Sequence, residues 1–324
     1  MPSKIEISHK TILFTIFFLI FLWFLIQIQE ILSLVFVAFI LMSAISPMAD
    51  NLERFHVPRA LSVLMIYVLL IALIAIAGNS IIPPLVVQTI RLGENFPALI
   101  KSILPSTTFD IQSITQQITP VGENLLKVTV GLFSNIVTLF TLFVISFYLI
   151  LERKNLKSHL SVFMGDEAAK KVMTIWLKVE ERLGAWVRGQ VTLAFTIGLS
   201  TFFGLTLLGI PYTFPLAILA GLLEIVPIIG PIIAAIPAIL VAFTISPLLA
   251  LATAALYFII QQVEANLVVP LVMRKAVGLP PLVTIIGLMI GGKLGGIGGA
   301  ILAIPIFVTL ETIIKEYFAL KSKS

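Results

Sequence analysis

The sequence predicts an all-α polytopic membrane protein with about six full spans, two broken re-entrant hairpins and a C-terminal half built as an inverted repeat. Three observations predict it: an apolar composition, apolar runs of membrane length, and two broken apolar segments that match one another. Of 324 residues, 59% are apolar and only 11% charged, whereas a soluble domain carries roughly 25% charged residues. Lipid is the solvent in which that surface is stable.

A helix needs roughly 20 apolar residues to cross about 30 Å of hydrocarbon. Runs of that length fall at about 11–28, 31–49, 60–82, 128–151, 190–208 and 248–271. The first follows Lys4 and Lys10, as a signal peptide would. It is long, lacks a small-residue cleavage site and leads directly into a second span, so it reads as a membrane helix. Residues 1–82 are thus three N-terminal spans. Residues 83–127 read as an external amphipathic segment, 128–151 as a fourth span, and 315–324 as a cytoplasmic tail. Residues 152–189 alternate charged and apolar side chains, with Val172, Ile175, Trp176, Val179 and Leu183 at helical spacing. They read as a cytoplasmic amphipathic helix, lying along the bilayer surface.

Lys and Arg set the orientation. Segment 152–189 holds eight of them, and 17 of the 21 collect in the N-terminus, the 48–60 and 272–278 loops, segment 152–189 and the C-terminus. Six spans and two there-and-back hairpins put all 17 on one side, so both termini are expected in the cytoplasm. The net charge of +5 is then a matter of orientation, and no nucleic-acid partner is implied.

The broken segments are 212–246 and 279–314. Gly209-Ile210-Pro211 opens one and Gly278-Leu279-Pro280 the other; Ala235-Ile236-Pro237 near the end of the first matches Ala303-Ile304-Pro305. The repeat units are therefore 190–246 and 248–314, each a span plus a hairpin. A span plus a hairpin reverses the starting side of the next unit, so the two run in opposite directions. Paired interrupted segments of this kind point to a transporter's substrate site near the midplane. Pro227, Gly230, Pro231, Gly295, Gly299 and Pro305 are the expected hinges.

Charge is scarce across these units. Glu224 and Glu264 are the only charges from Gln190 to Met273, and Lys293 the only one from Ala276 to Leu310. An ionic side chain at membrane depth costs at least about 2.5 kcal/mol, so it faces a bundle interior or water. The repeat alignment sets Glu224 opposite Gly292 or Lys293 and raises a Glu–Lys pair between the hairpins. An inert pair, or a Lys293 that reaches water at a hairpin tip, fits as well. Gln262 and Asn266 share one helix face, and Gln261 and Glu264 another; such groups line a polar path or glue helices together. The glycines at 287, 291 and 295 allow close helix packing.

Other chemistry finds no support. No cysteine is present and the three histidines lie far apart, which argues against a metal site. Gly287-x-x-x-x-Gly292-Lys293 mimics a phosphate loop, but Leu294 stands where Ser or Thr must hold Mg²⁺, and no strand precedes it. No nucleophile–base set suggests an enzyme.

Several stretches resemble the AI-2E (autoinducer-2 exporter-like) family, with its PerM-type permeases. They are Pro58-Arg59-Ala60-Leu61, Phe147-Tyr148-Leu149 with Glu152, and the most specific run, Gly221-Leu222-Leu223-Glu224-Ile225-Val226-Pro227-Ile228-Ile229-Gly230-Pro231. Gln262-x-Glu264-x-Asn266-Leu267-Val268-x-Pro270 and Leu302-Ala303-Ile304-Pro305 complete the set. Lys293 is no hallmark of the family. The resemblance implies a transporter of a bacterial cytoplasmic (inner) membrane that works without ATP. Members are associated with autoinducer-2 export, and some with sodium or proton antiport.

The expectation is a secondary transporter of a small polar solute or ion, embedded as a homo-oligomer in the lipid bilayer. No cofactor is implied beyond Na⁺ or H⁺ coupling. Glu224 would couple or gate, and Gln262, Glu264, Asn266 and Lys293 would line the path. A cation/proton antiporter and a non-transporting membrane scaffold are the alternatives.

Overall fold

The computed structural model describes residues 9–76, 78–80, 83, 136–227, 229–273 and 280–322. The external segment expected at 83–127 and the basic 272–278 loop fall almost wholly outside them. Among the described residues the protein is helical throughout, with no strand. Six helical stretches are long and apolar enough to cross a membrane. The chain is a multi-pass membrane protein.

Helix α1 (His9–Gln27) is exposed along its whole span, as expected of a helix whose solvent is lipid. Helix α2 (Gln29–Arg54) buries Ala38, Met42, Ile45 and Ala49 on one face. Pro47 lies inside it and brings no N–H to the Ser43 carbonyl one turn back. Gly184 packs directly against that carbonyl, where a Cβ would collide. At His56 the backbone turns left-handed (φ 65°) and Pro58 follows, a helix stop. Helix α3 (Arg59–Ser80) then returns, and its Tyr67 hydroxyl bonds Ser146 of α4 (Ile136–Glu152).

Helix α5 (Leu156–Met164) turns at Gly165 (φ 80°) into α6 (Asp166–Leu207), a continuous helix of 42 residues. Sequence patterning divides this stretch into a surface helix and a separate span, but the structure runs them together. The change at 189/190 is one of charge, and charge alone does not stop a helix; neither a proline nor a cap interrupts it. At 1.5 Å per residue α6 is about 63 Å long. It therefore extends well beyond the hydrocarbon and is the spine on which both hairpins hang.

The first hairpin is α7 (Thr213–Leu223) and α8 (Ile229–Phe243). Their 11 and 15 residues reach about 16 and 22 Å, each short of a crossing. Gly221 touches the α6 backbone, with its Cβ position 2.6 Å from the Ala194 carbonyl, so the hairpin enters from the Leu207 end and points its turn toward Gln190. Gly230 lies against the Leu223 carbonyl, so that turn closes only without a side chain. Pro227 sits in the turn and Pro231 is buried in the first turn of α8. Ser246 then caps α9 (Pro247–Val263), accepting from the Leu249 N–H at 3.1 Å. Helix α9 descends along α6, with Leu256 against Gly204.

After a π-turn at Glu264–Val268 come the short α10 (Val269–Val272) and α11 (Pro281–Lys321). Helix α11 is itself the second hairpin. Gly295 and Gly296 leave helical geometry, Gly296 at φ 59°, and the arms fold back with Gly287 on Phe307 and Gly291 on Gly299 and Ala303. Pro305 is fully buried in the returning arm. The base of this hairpin is held at the other end of α6, where Arg182 pairs with Glu311 at 3.0 Å. The two hairpins thus point in opposite directions along one helix. Among the described residues they do not pack on each other to any extent; each leans on α6.

Candidate functional site

At the end where α2 stops and α6 begins, buried charge is paired. Arg153 bridges Asp50 of α2 (3.2 Å) and Glu180 of α6 (2.8 Å). Arg59 reaches Asp50 (3.1 Å) and Glu53 (3.5 Å), and Lys154 reaches Glu53 (2.7 Å). Arg182 also donates to Thr312, while Lys315 joins Glu311. These contacts gather five basic residues, Arg59, Arg153, Lys154, Arg182 and Lys315, at one end of the bundle, as the loop charges require. Sequence reasoning used those cations for orientation and passed over their acidic partners.

The turn of the first hairpin is built differently. Glu224 follows the last residue of α7 and is 1% exposed. Its carbonyl is one of the groups a helix end leaves without an intrahelical donor, and the Gln190 side-chain amide of α6 donates to it. Its carboxyl faces that of Glu264, 5% exposed. Among the described residues neither forms an ion pair with Lys or Arg. Gln261 donates to Glu264 at 3.1 Å, but Glu224 Oε2 and Gln190 Oε1 have no hydrogen-bond partner. The Arg188 guanidinium, two residues from Gln190, folds back toward Gly184.

Glu264 comes into position through the π-turn. Pro270 brings no N–H to the ladder, and wide turns of this type recur at functional sites in α-helices. The face assignment from sequence holds in part. Gln261 and Glu264 meet; Gln262 and Asn266 pair with each other, Asn266 donating to the Gln262 carbonyl at 2.8 Å, but both are exposed and away from the carboxyls. Of the readings open for Lys293, the structure favours the exposed one: it lies near the second hairpin's tip and makes no ion pair among the described residues, and the carboxyl that Glu224 faces is that of Glu264. The hinge glycine Gly295 is in open space, whereas Gly299 packs on Gly291.

Sequence reasoning missed Gln190. It is 4% exposed, a lone amide at the start of an apolar stretch, whereas the amides the sequence singled out, Gln261, Gln262 and Asn266, cluster around a charge. The arrangement is thus two carboxyls with no cation between them, at the junction of α6, the first hairpin's turn and the π-turn. Among the described residues no cluster of three or more His, Cys, Asp or Glu could hold a metal ion. Two facing carboxyls supplied with amides can bind and release a proton or a small cation.

Comparison with known proteins agrees with this architecture. The family described as AI-2E family transporter matches residues 12–319. "Putative transport protein YueF" of Bacillus subtilis (strain 168) is 32% identical over 299 residues, 84% of this chain and 79% of that protein. "Putative transport protein YrrI" of the same organism is 26% identical over 295 residues, 86% of this chain and 84% of that one. "Putative permease PerM" of Escherichia coli (strain K12) is 29% identical over 145 residues, covering 44% of this chain and 41% of its own. With the match running nearly end to end and the broken helices in place, the chain belongs to the AI-2E family of membrane transporters.

Proposed function

We propose that the protein is a secondary transporter or exporter of a small polar solute, autoinducer-2-like compounds among the candidates, coupled to a proton or sodium ion at the Glu224–Glu264 pair. One observation carries the reading: two buried carboxyls face each other at the turn of a broken hairpin, with no basic partner among the described residues. Two negative charges so placed repel, and a proton or cation between them removes the repulsion. Binding energy for the coupling ion is then available without a change in fold. Hairpins of opposite sense on one spine support alternating exposure, because each can open toward its own side of the membrane.

The same pair favours a second reading, cation/proton exchange with no organic solute, in which the ion itself is the cargo. A scaffold without transport has no use for unpaired carboxyls and would match them with cations, as Glu180 and Glu311 are matched by Arg153 and Arg182. The basic end is proposed to face the cytoplasm of a bacterial inner membrane, with both termini there.

Counterflow in purified proteoliposomes separates the readings. A panel of small polar solutes is offered with and without a proton or sodium gradient. Gradient-dependent solute accumulation supports the coupled transporter, ion exchange without any solute supports the antiporter, and movement of neither returns the scaffold.

A further inference from the structure

Gln190 lies two residues from Arg188, so the Glu224–Glu264 pair is near the basic end of the apolar part of α6. The other way is long: from Gln190 to Leu207 α6 rises about 26 Å. Only two further buried side-chain atoms between α6, the first hairpin and α9 lack a hydrogen-bond partner among the described residues: Thr201 Oγ1 and the Tyr257 hydroxyl. Both lie along that stretch.

Thr201 is fully buried and Tyr257 is 8% exposed. Thr201 sits between Ile197 and Leu205 on α6, and both of those belong to the apolar cluster that contains Tyr257. The Gly204–Leu256 contact sets the two helices in register there. Tyr257 of α9 and Glu264, which follows the last residue of α9, are about two helical turns apart, and both are buried.

Thr201 is also out of pattern. The four other threonines of α6, at 174, 192, 196 and 206, all donate to the carbonyl four residues back, at 2.7–2.9 Å. The Thr201 hydroxyl, buried and without this bond, has no hydrogen-bond partner among the described residues. A buried polar atom left without a partner is costly, and water is the usual guest that satisfies it.

We infer that the Thr201 and Tyr257 hydroxyls bind water, forming a station on a hydrated path from the Glu224–Glu264 pair to the Leu207 end of α6. Along it a proton or hydrated cation reaches the carboxyls from the side opposite the basic residues. The inference rests on the coupling reading above, and its first test, thiol labelling, is independent of transport.

The chain has no cysteine, so Thr201→Cys carries a single thiol. In proteoliposomes it is treated with a permanently charged methanethiosulfonate, beside Leu216→Cys, a fully buried position of the same cluster. The path predicts labelling of Thr201→Cys at least tenfold faster than Leu216→Cys. Equal rates overturn it, whatever the transport result; fast labelling upholds it even if no coupled transport is found. Tyr257→Phe, which keeps the ring, covers a Thr201→Cys protein that fails to fold. Severalfold slower gradient-driven transport supports the water station, and an unchanged rate in that variant refutes it.

Discussion

The molecule treats buried acid in two ways. At one end Glu180, whose side chain is 6% exposed, meets Arg153, which also holds Asp50. Where the first hairpin's turn meets the π-turn, Glu224 and Glu264 are as deeply buried and, among the described residues, have each other instead of a cation. A buried pair left without one partner is strongly destabilised, so the first arrangement is what a structural role demands. In the second, two acids face each other with no Lys or Arg paired to either among the described residues. The difference separates a fastener from the proposed ion site, although both consist of glutamates in the same bundle.

The comparison is sharpest where a charge is removed. Arg153→Met strips Glu180 of its cation and is expected to lower stability by about 3 kcal/mol, the low end for a broken buried pair because Arg153 is partly exposed. Glu224→Gln removes one of two like charges and is expected to leave stability unchanged or slightly higher. Thermal unfolding of both variants in one detergent checks the pair; similar losses would erase the distinction.

The hairpin turns give a smaller contrast. Gly230→Ala places a Cβ on the Leu223 carbonyl and is expected to cost about 1–3 kcal/mol through overpacking. Gly295→Ala meets nothing within 4 Å, at a negative φ, and is expected to stay within about 0.5 kcal/mol. Thermal stability of the two variants gives the readout. Smallest of all is Lys293→Gln, since the side chain is exposed and without an ion pair. Wild-type stability and transport are expected, and a large transport loss would restore Lys293 to the path.

Membrane character was legible because lipid demands long apolar runs, and the hairpins were legible because Gly and Pro mark where such runs break. The partner of Glu224 was not. Aligning the repeats sets Glu224 beside Lys293, but equivalent positions in units of opposite sense need not meet. The hairpins enter from opposite ends of α6, which puts Glu224 against α6 and the π-turn instead. The continuity of α6 was hidden for another reason: charged and apolar halves differ in solvent, not in backbone. Gln190 and Thr201 carried no signal, since a lone amide or hydroxyl in an apolar span is ordinary until its neighbours are known.

The central claim is that Glu224 and Glu264 together hold the coupling ion. Gradient-driven transport by wild type, Glu224→Gln, Glu264→Gln and the double variant in proteoliposomes tests it most directly, with passive counterflow as the measure of intact protein. Each single change is expected to reduce the gradient-driven rate about 5- to 150-fold, the span of a 1–3 kcal/mol coupling. Counterflow should persist, and the double variant should be no worse than either single, because both remove one shared site. Full gradient-driven transport in the double variant would contradict the account.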